Sequence, residues 1–307
     1  MLNLNRLHVL REVLEHGSFS GAAHALSYTQ SAVSQAIARL EAETGAELVV
    51  RDRRGVRPTP AGTALARHAD LIMAQASAAE AELAAVLGLR SGLLRLASFP
   101  SAGATLIPQA VARFRAAHPG VALSLAEGEP EDIVPRLRAG ELDLALLFDF
   151  PGGRTRAHGG LRSMLLLDDP LFLALPSAHP LAGKRALTLA DLRDQEWVQT
   201  SPESPCARQV VRSCLEAGFE PRVSFETDDY EAVQGLVAAG VGVALIPGLA
   251  LQRVHAGIVV RELAPRSPWR RVVAASAPGA GVNPAARAMT AILADVAASY
   301  AGELARA

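Results

Sequence analysis

The chain has 307 residues and a formal net charge of −1, and 50% of its residues are hydrophobic. This composition excludes an intrinsically disordered chain, and the length predicts about two domains with substantial cores. The balanced charge would also exclude a nucleic-acid partner, except that Arg51, Arg53, Arg54 and Arg57 form a local basic patch.

The amino terminus and the longest apolar stretch indicate where the chain resides. Residues 1–17 carry charges throughout and lack the unbroken apolar core and the small-residue cleavage site of an export signal. Residues 235–251 are apolar but are interrupted by glycines and a proline, which predicts a helix end, a buried strand and a turn instead of a membrane span. We therefore predict a soluble, cytoplasmic protein without a membrane partner.

Residues 18–42 predict two short helices joined by a tight turn, preceded by a first amphipathic helix. The predicted N-caps of the three helices are Asn3 or Asn5, then Ser18, then Thr29. Apolar side chains that recur at helical spacing form the predicted core of this segment: Ala22, Ala23, Leu26, Val33, Ala36, Ile37 and Leu40.

The opposite face of the third helix is small and polar. The predicted DNA-contacting residues of this helix are Thr29, Gln30, Ser31, Ser34, Gln35 and Arg39. Their side chains donate to base edges and to phosphates, so this face suits the major groove of double-stranded DNA.

A short hairpin follows the third helix. Residues 48–50 and 56–59 predict two strands around a turn that contains Arg53 and Arg54. We predict a winged helix-turn-helix in which Arg53, Arg54 and Arg57 of the wing contact DNA phosphates.

Pro60 fits the first turn of a long helix over residues 61–87. This helix carries an approximate heptad stripe of apolar residues, namely Leu65, Ile72, Ala76, Ala79, Leu83 and Val86. Packing on its own domain is one interpretation. We favour pairing with the same helix of a second chain, because a helix-turn-helix usually binds two half-sites as a dimer.

From Leu93 onward, strand and helix patterns alternate. Strands are predicted at 93–98, 121–128, 143–148, 164–176, 197–200, 222–227 and 241–247, and helices at 104–117, 131–139, 206–217 and 230–239. We predict a mixed α/β fold with a largely parallel sheet, built as two similar subdomains with a binding cleft between them.

Residues 18–62 resemble the DNA-binding domain of LysR-type transcriptional regulators. The stretches HPGVALSLAEG, LRAGELDLALL, HPLAG and LVAAGVGVALIP are similar to the effector domain of that family, and they occur in the same order. The resemblance implies a sequence-specific DNA-binding regulator that forms dimers and tetramers, bends promoter DNA and responds to a small-molecule effector. It also implies RNA polymerase as a further partner.

The resemblance implies three domains. These are a winged helix-turn-helix over 1–60, a dimerising linker helix over 61–90, and an effector domain over 91–307 that resembles type 2 periplasmic binding proteins. Its lobe I comprises 91–162 and 268–307, and its lobe II comprises 163–267. We expect the lobes to close about crossings near Leu161 to Met164 and Ala264 to Trp269.

Hydroxyl side chains lie at two corresponding helix starts of the effector domain. The predicted effector-binding residues are Ser98, Ser101 and Thr105 in one subdomain and Thr200, Ser201 and Ser204 in the other. Helix amino termini favour anions, which predicts a small carboxylate or phosphate, although helix capping alone is an equal alternative. Phe148 and Asp149 are expected to reach the same cleft, where Asp149 would pair instead with the amine of an amino-acid-like ligand.

Two alternatives remain open. Cys206 and Cys214 lie about 12 Å apart along one predicted helix, and peroxide-sensing members of the family carry a cysteine pair in this region. One interpretation is that the two cysteines sense oxidants, and the other is that both are buried and unreactive. The second alternative is a two-lobed solute-binding protein without DNA activity.

Motifs of catalysis are missing from the sequence. It contains no G-x-S-x-G elbow, no Walker loop and no H-E-x-x-H pair, and its histidines are scattered. We predict that the protein is not an enzyme and needs no cofactor or metal ion.

Overall fold

The computed structural model describes residues 2–52, 55–86, 92–151, 159–277 and 283–304. In chain order these residues form a helical head (residues 2–58), a long helix and an α/β body (residues 92–304). Within the described ranges, no helix combines the length and the apolar character that a membrane crossing requires.

The head contains three helices and one antiparallel hairpin: α1 Leu4–Glu15, α2 Phe19–Ala25, α3 Gln30–Thr44, β1 Val49–Asp52 and β2 Gly55–Pro58. Asn3, Ser18 and Thr29 accept hydrogen bonds from first-turn N–H groups, which confirms the predicted N-caps. The predicted core residues are all buried or half-buried, and they pack with Leu7, Leu10 and Val13 of α1.

The long helix, α4, runs over Pro60–Val86 and begins against the hairpin. Its first turn approaches β1 so closely that a Cβ atom at Gly62 would lie 1.9 Å from the carbonyl oxygen of Leu48. Ala69 is buried, and Leu65 packs on the core of the head, so one side of α4 is occupied by α1 and its neighbours. Leu71 and Ile72 are exposed.

The strands of the body are β3 Gly92–Ser98, β4 Val121–Glu127, β5 Leu144–Asp149, β6 Arg162–Pro176, β7 Glu196–Gln199, β8 Arg222–Glu226, β9 Ala244–Pro247, β10 Ile258–Arg261 and β11 Trp269–Ser276. Its helices are α5 Pro100–Ala117, α6 Pro130–Arg138, α7 Pro205–Glu216, α8 Tyr230–Ala238 and α9 Pro284–Leu304. The main sheet has the order β10-β6-β11-β5-β3-β4, with β9 beside β6, while β7 and β8 form a separate parallel pair.

The sheet is mixed and not largely parallel, so that expectation was wrong. Strand β3 runs parallel to β4 and β5, but β11 is antiparallel to β5 and β6, and β6 is antiparallel to β9 and β10. The reason is that β6 crosses from one lobe to the other and β11 returns beside it in the opposite direction.

Strand β6 belongs to both lobes. Residues 162–170 pair with β11, whereas residues 171–176 pair with β9 and β10. The first crossing therefore lies at Pro170 and Leu171, later than the expected Leu161 to Met164. The start of the strand does not mark this position, because β6 continues as one strand through both lobes. The return crossing lies immediately before Trp269.

The head also touches the body directly. Arg11 of α1 forms an ion pair with Glu141, which follows α6 and is also bonded by Arg136 near the end of that helix. Helix α4 contacts both α6 and α9, and α9 packs on α5. The head is thus connected to the first lobe by a charged contact as well as by α4.

The close approach at Gly62 predicts a stability effect. Gly62→Ala should lower the free energy of unfolding by about 2 kcal/mol or more, because backbone atoms of β1 must move to admit the methyl group. Gly235 of α8 has open space around its Cβ position, so Gly235→Ala should be neutral or stabilise by about 0.5 kcal/mol. Urea denaturation of both variants measures the difference, and equal midpoints would contradict the close contact.

Candidate nucleic-acid interface and interlobe cleft

Helix α3 has one buried face and one exposed polar face. Val33, Ile37 and Leu40 are buried in the core of the head. On the opposite face Thr29, Gln30, Ser31, Gln35 and Arg39 are exposed and Ser34 is half-buried. The Thr29 hydroxyl also caps the helix by accepting from the N–H of Ala32. The result is a polar ridge that a groove of DNA can receive.

The wing strands β1 and β2 are fixed to the helices of the head. The Glu41 carboxylate on α3 accepts hydrogen bonds from the backbone N–H groups of Leu48 (2.8 Å) and Val49 (3.3 Å). The N–H of Val56 donates to the carbonyl of Gly17, 2.8 Å away, between α1 and α2. Arg57 is exposed on β2. The other predicted wing contacts, Arg53 and Arg54, lie outside the described residues.

A buried ion pair lies where the two strands cross between the lobes. Arg270 of β11 is 1% exposed and Asp169 of β6 is fully buried. The Arg270 Nε atom donates to Asp169 Oδ2 at 2.9 Å, and Nη2 donates to the Ser101 hydroxyl at 2.6 Å. Asp169 Oδ1 also accepts from the N–H of Leu249 at 3.0 Å.

Aromatic rings enclose the Arg270 guanidinium. Its Cζ atom lies 4.8 Å from the ring centre of Phe99 and 4.6 Å from that of Phe148. Burial raises the pKa of Asp169, and Arg270 opposes that rise. Asp169 compensates the positive charge of Arg270. The pair therefore adds no net charge to the cleft.

The three predicted hydroxyl residues of the first lobe are buried and bonded within the protein. Ser98 donates to the Phe99 carbonyl, and Ser101 accepts from Arg270. Thr105 donates to the Leu249 carbonyl, 2.7 Å away across the cleft. This last contact joins α5 of one lobe to the turn after β9 of the other.

The three hydroxyls of the second lobe are also bonded. Thr200 and Ser204 share a hydrogen bond, and the Ser204 hydroxyl accepts from the N–H of Ala207 as the cap of α7. Ser201 donates to the carboxylate of Asp228 through both its N–H and its hydroxyl. The capping alternative therefore describes Ser204, while the hydroxyls of Thr105 and Ser201 donate to acceptors of the protein.

Phe148 and Asp149 point to opposite sides of β5. Phe148 is buried against Arg270 and Phe99. Asp149 instead pairs with Arg271 on the neighbouring strand, at 2.9 Å and 3.0 Å. The expectation that Asp149 reaches the cleft is corrected, because successive strand residues face opposite ways.

Two adjoining cavities occupy the cleft. The larger, of about 680 Å³, lies between the first turn of α5 and the elements around α8, and a small inner cavity of about 20 Å³ adjoins it. They share the lining residues Pro100, Ser101, Asp228 and Tyr230. The inner cavity is also lined by Glu129, Thr200, Ser204, Cys206 and Arg270.

Glu129 is the least satisfied polar group of the inner cavity. Its Oε2 atom is buried and has no hydrogen-bond partner among the described residues. Burial raises the pKa of Glu129 to about 7, against an opposing effect of Arg270, and the nearby carboxylates of Glu131 and Asp228 raise it further. The cleft therefore contains a carboxyl group whose pKa is raised to about 7.

The two cysteines lie in environments that disfavour the thiolate. Both are buried. Burial raises the pKa of Cys206, although Arg270 lies nearby, and raises the pKa of Cys214 to about 12. Because the thiolate is the reactive form, neither thiol has the electrostatic setting of a reactive cysteine.

Sequence reasoning missed Asp169, Arg270, Glu129 and Tyr230. Asp169 and Arg270 each belong to a pair of adjacent charged residues, Asp168-Asp169 and Arg270-Arg271, next to apolar strand residues. A charge next to a buried strand segment is a signal of an ion pair. Glu129 precedes Pro130 at the start of α6, as Phe99 precedes Pro100 at the start of α5. That correspondence could have indicated a second helix start at the cleft.

Two family models together match most of the chain. Residues 4–63 match "Bacterial regulatory helix-turn-helix protein, lysR family", and residues 87–298 match "LysR substrate binding domain". A DNA-reading head joined to a two-lobed ligand-binding body defines a DNA-binding transcriptional regulator, not an enzyme.

Known proteins specify the family. The chain is 34% identical over 276 residues to the probable HTH-type transcriptional regulator LrrA of Synechococcus elongatus, covering 90% of each chain. It is 33% identical over 268 residues to a probable hydrogen peroxide-inducible genes activator of Mycobacterium avium, covering 85% of this chain and 83% of that one. A full-length OxyR variant from Pseudomonas aeruginosa has the same fold, with a TM-score of 0.70, 24% identity, and coverage of 97% of this chain and 95% of that one. The chain belongs to the LysR family of transcriptional regulators.

The raised pKa of Glu129 predicts a pH dependence of stability. Its folded-state pKa of about 7 exceeds the ordinary value of 4.5, so the folded state binds the proton more tightly than the unfolded state. The free energy of unfolding should then fall by about 3 kcal/mol as the pH rises from about 4.5 to about 7. Glu129→Gln should remove that part of the slope, measured by urea denaturation at several pH values. Glu220→Gln, at an exposed site, should keep the wild-type slope, and parallel profiles for wild type and Glu129→Gln would refute the assignment.

Proposed function

We propose that this regulator acts in the cytoplasm, that it reads promoter DNA with α3 and the wing, and that a small molecule bound between its lobes controls it. The observation that carries the DNA-reading part is the exposed polar ridge of α3, held over a buried apolar face and beside a fixed wing. Gln30, Ser31, Ser34, Gln35 and Arg39 are the proposed contacts of α3, with Thr29 at its start. Arg53, Arg54 and Arg57 are the proposed phosphate contacts of the wing.

We retain the division into a DNA-binding domain over 1–60, a linker helix over 61–90 and an effector domain over 91–307. The strand pairing supports moving the start of lobe II from residue 163 to Leu171, where β6 changes partners. RNA polymerase remains a proposed partner.

Self-association through α4 is the proposed basis of a dimer, and further contacts between bodies would build a tetramer. Of the apolar stripe on α4, Leu65 serves the core of the head. Ile72 is 36% exposed and its neighbour Leu71 is 58% exposed, which leaves apolar surface for a second copy. The side chains of Leu83 and Val86 lie outside those that the structure describes.

The proposed mechanism is a shift between open and closed cleft populations. The two lobes meet at the crossings of β6 and β11, where few residues need to change conformation. Helix α5 starts at the cleft and packs on α9, which contacts α4. Closure would thereby change how paired heads are held relative to one another.

The peroxide-inducible relatives make a cysteine-based switch the natural competitor. Here the two thiols are buried with raised pKa values, which does not favour rapid reaction with peroxide. The geometry of the cleft therefore supports control by a bound small molecule over control by oxidation.

Two variants should distinguish residues that contact bases from residues that contact phosphates. Gln35→Ala should relax base preference at one position, at a cost of about 1 to 3 kcal/mol, because Gln35 is proposed to contact a base edge. Arg57→Ala should weaken all sequences alike and lower the salt slope by about one, because it is proposed to contact a phosphate. Fluorescence anisotropy with a set of single-base variants at several salt concentrations measures both, and identical behaviour of the two variants would sink the distinction.

The proposed dimer predicts a loss of association. Ile72→Glu should weaken dimerisation at least tenfold, because it places a charge in an apolar contact while leaving the buried side of α4 intact. Analytical ultracentrifugation measures the effect. Val254→Glu, at another exposed apolar site, is the control and should associate like wild type. A monomeric wild type, or a dimer unaffected by Ile72→Glu, would remove α4 as the interface.

A further inference from the structure

Most of the charged residues that line the larger cavity are acids. Four carboxylate side chains and one arginine line it, namely Glu127, Asp228, Asp229, Glu231 and Arg253. Its volume of about 680 Å³ suits a small organic molecule. An anion entering this cavity would meet more negative than positive charge.

The inner cavity has the same bias. Its arginine, Arg270, is held by Asp169 and Ser101, so its charge is compensated within the protein. The remaining charged groups that line it are Glu129, with an unpartnered buried oxygen, and Asp228. Of the nearby hydroxyls, those of Thr105 and Ser201 already donate to Leu249 and Asp228, and that of Ser204 accepts from the N–H of Ala207. The buried Oε2 atom of Glu129 lacks a donor, and a cationic donor would also offset the charge of the two carboxylates.

We propose that the effector of this regulator is an organic cation, whose primary ammonium group enters the inner cavity and donates to Glu129 and Asp228. This inference rests on the proposed function, since it takes the cleft to be the effector site. The rest of the molecule lies in the larger cavity, between α5 and α8. The small-anion expectation is replaced, and the amine alternative is retained and placed on Glu129 instead of Asp149.

Both lobes contribute to this contact. Glu129 precedes α6 in the first lobe, whereas Asp228 precedes α8 in the second and is held by Ser201. A cation between the two carboxylates would draw the lobes together, since each oxygen gains a charge-assisted hydrogen bond. The ligand class thus also supplies a reason for closure.

Protonation of Glu129 competes with the cation. The charged and titratable groups that surround Glu129 are Arg270, Glu131, Asp132, Asp228, Cys206 and Tyr230. Because burial raises the pKa of Glu129 to about 7, the carboxylate is partly neutralised below that pH. The affinity for a cation should rise about tenfold per pH unit below pH 7 and level off above it.

The test compares probes that share a four-carbon chain, and it uses the full-length protein. The probes are 1,4-diaminobutane and agmatine as cations, 1,4-butanediol as the neutral analogue and succinate as the anion. Thermal shift and titration calorimetry at pH 7.5 should show stabilisation by at least one of the two cations and none by the diol or succinate. Glu129→Gln should weaken the cation at least tenfold, while Glu220→Gln should bind it like wild type.

Four results would contradict the proposed cation. No response to either cation, stronger stabilisation by succinate, equal binding by Glu129→Gln, or a flat pH profile overturns the inference. Binding to the DNA upstream of the gene is measured on the same preparation. A loss of sequence-specific DNA binding would count against the proposed function, whereas a succinate response with intact DNA binding would count against the cation alone.

Discussion

The buried ion pair between Arg270 and Asp169 organises the body of this regulator. Removing two charges from water costs several kcal/mol unless they are paired and fully hydrogen-bonded. Here the pair lies on the two strands that cross between the lobes. Arg270 also donates to Ser101 of the first lobe, and Asp169 also accepts from the N–H of Leu249 of the second. The arrangement of the lobes at the crossing is therefore specified by polar contacts that fit in only one way. Loss of one partner would leave the other charge buried and alone.

The same pair decides the electrostatic character of the cleft. An arginine at the base of a binding site ordinarily invites an anion, but this one is compensated by Asp169 within the strand pairing. The unbalanced groups are then the carboxylates of Glu129 and Asp228. The position of Asp169 beside Arg270 thus determines both the structural ion pair and the proposed preference of the cleft for a cation. Counting the charges along the sequence does not reveal which carboxylate neutralises the arginine.

Local features of the fold could be read from the sequence, and long-range ones could not. The caps at Asn3, Ser18 and Thr29 and the inward face of α3 follow from neighbouring residues, so helix periodicity and capping chemistry were sufficient. The direction of a strand relative to its neighbour depends on which distant segments pair in the sheet. Strand β6 pairs first with β11 and then with β9, and it continues as one strand through that point. Asp169 and Arg270 are 101 positions apart, so their pairing leaves no short-range signature. The cleft residues were predicted from helix starts, which found Ser101 and Ser204 but not Glu129.

Helix α6 joins the cleft to the head within one chain. It has nine residues, starts directly after Glu129, and leads to Glu141, the partner of Arg11 on α1. At 1.5 Å per residue it is a rod of about 13 Å, stiff on this scale. A shift at its cleft end is delivered to the reading head without passing through any subunit contact. In a mixed pair with a single occupied body, this contact would act directly on the head of the occupied chain.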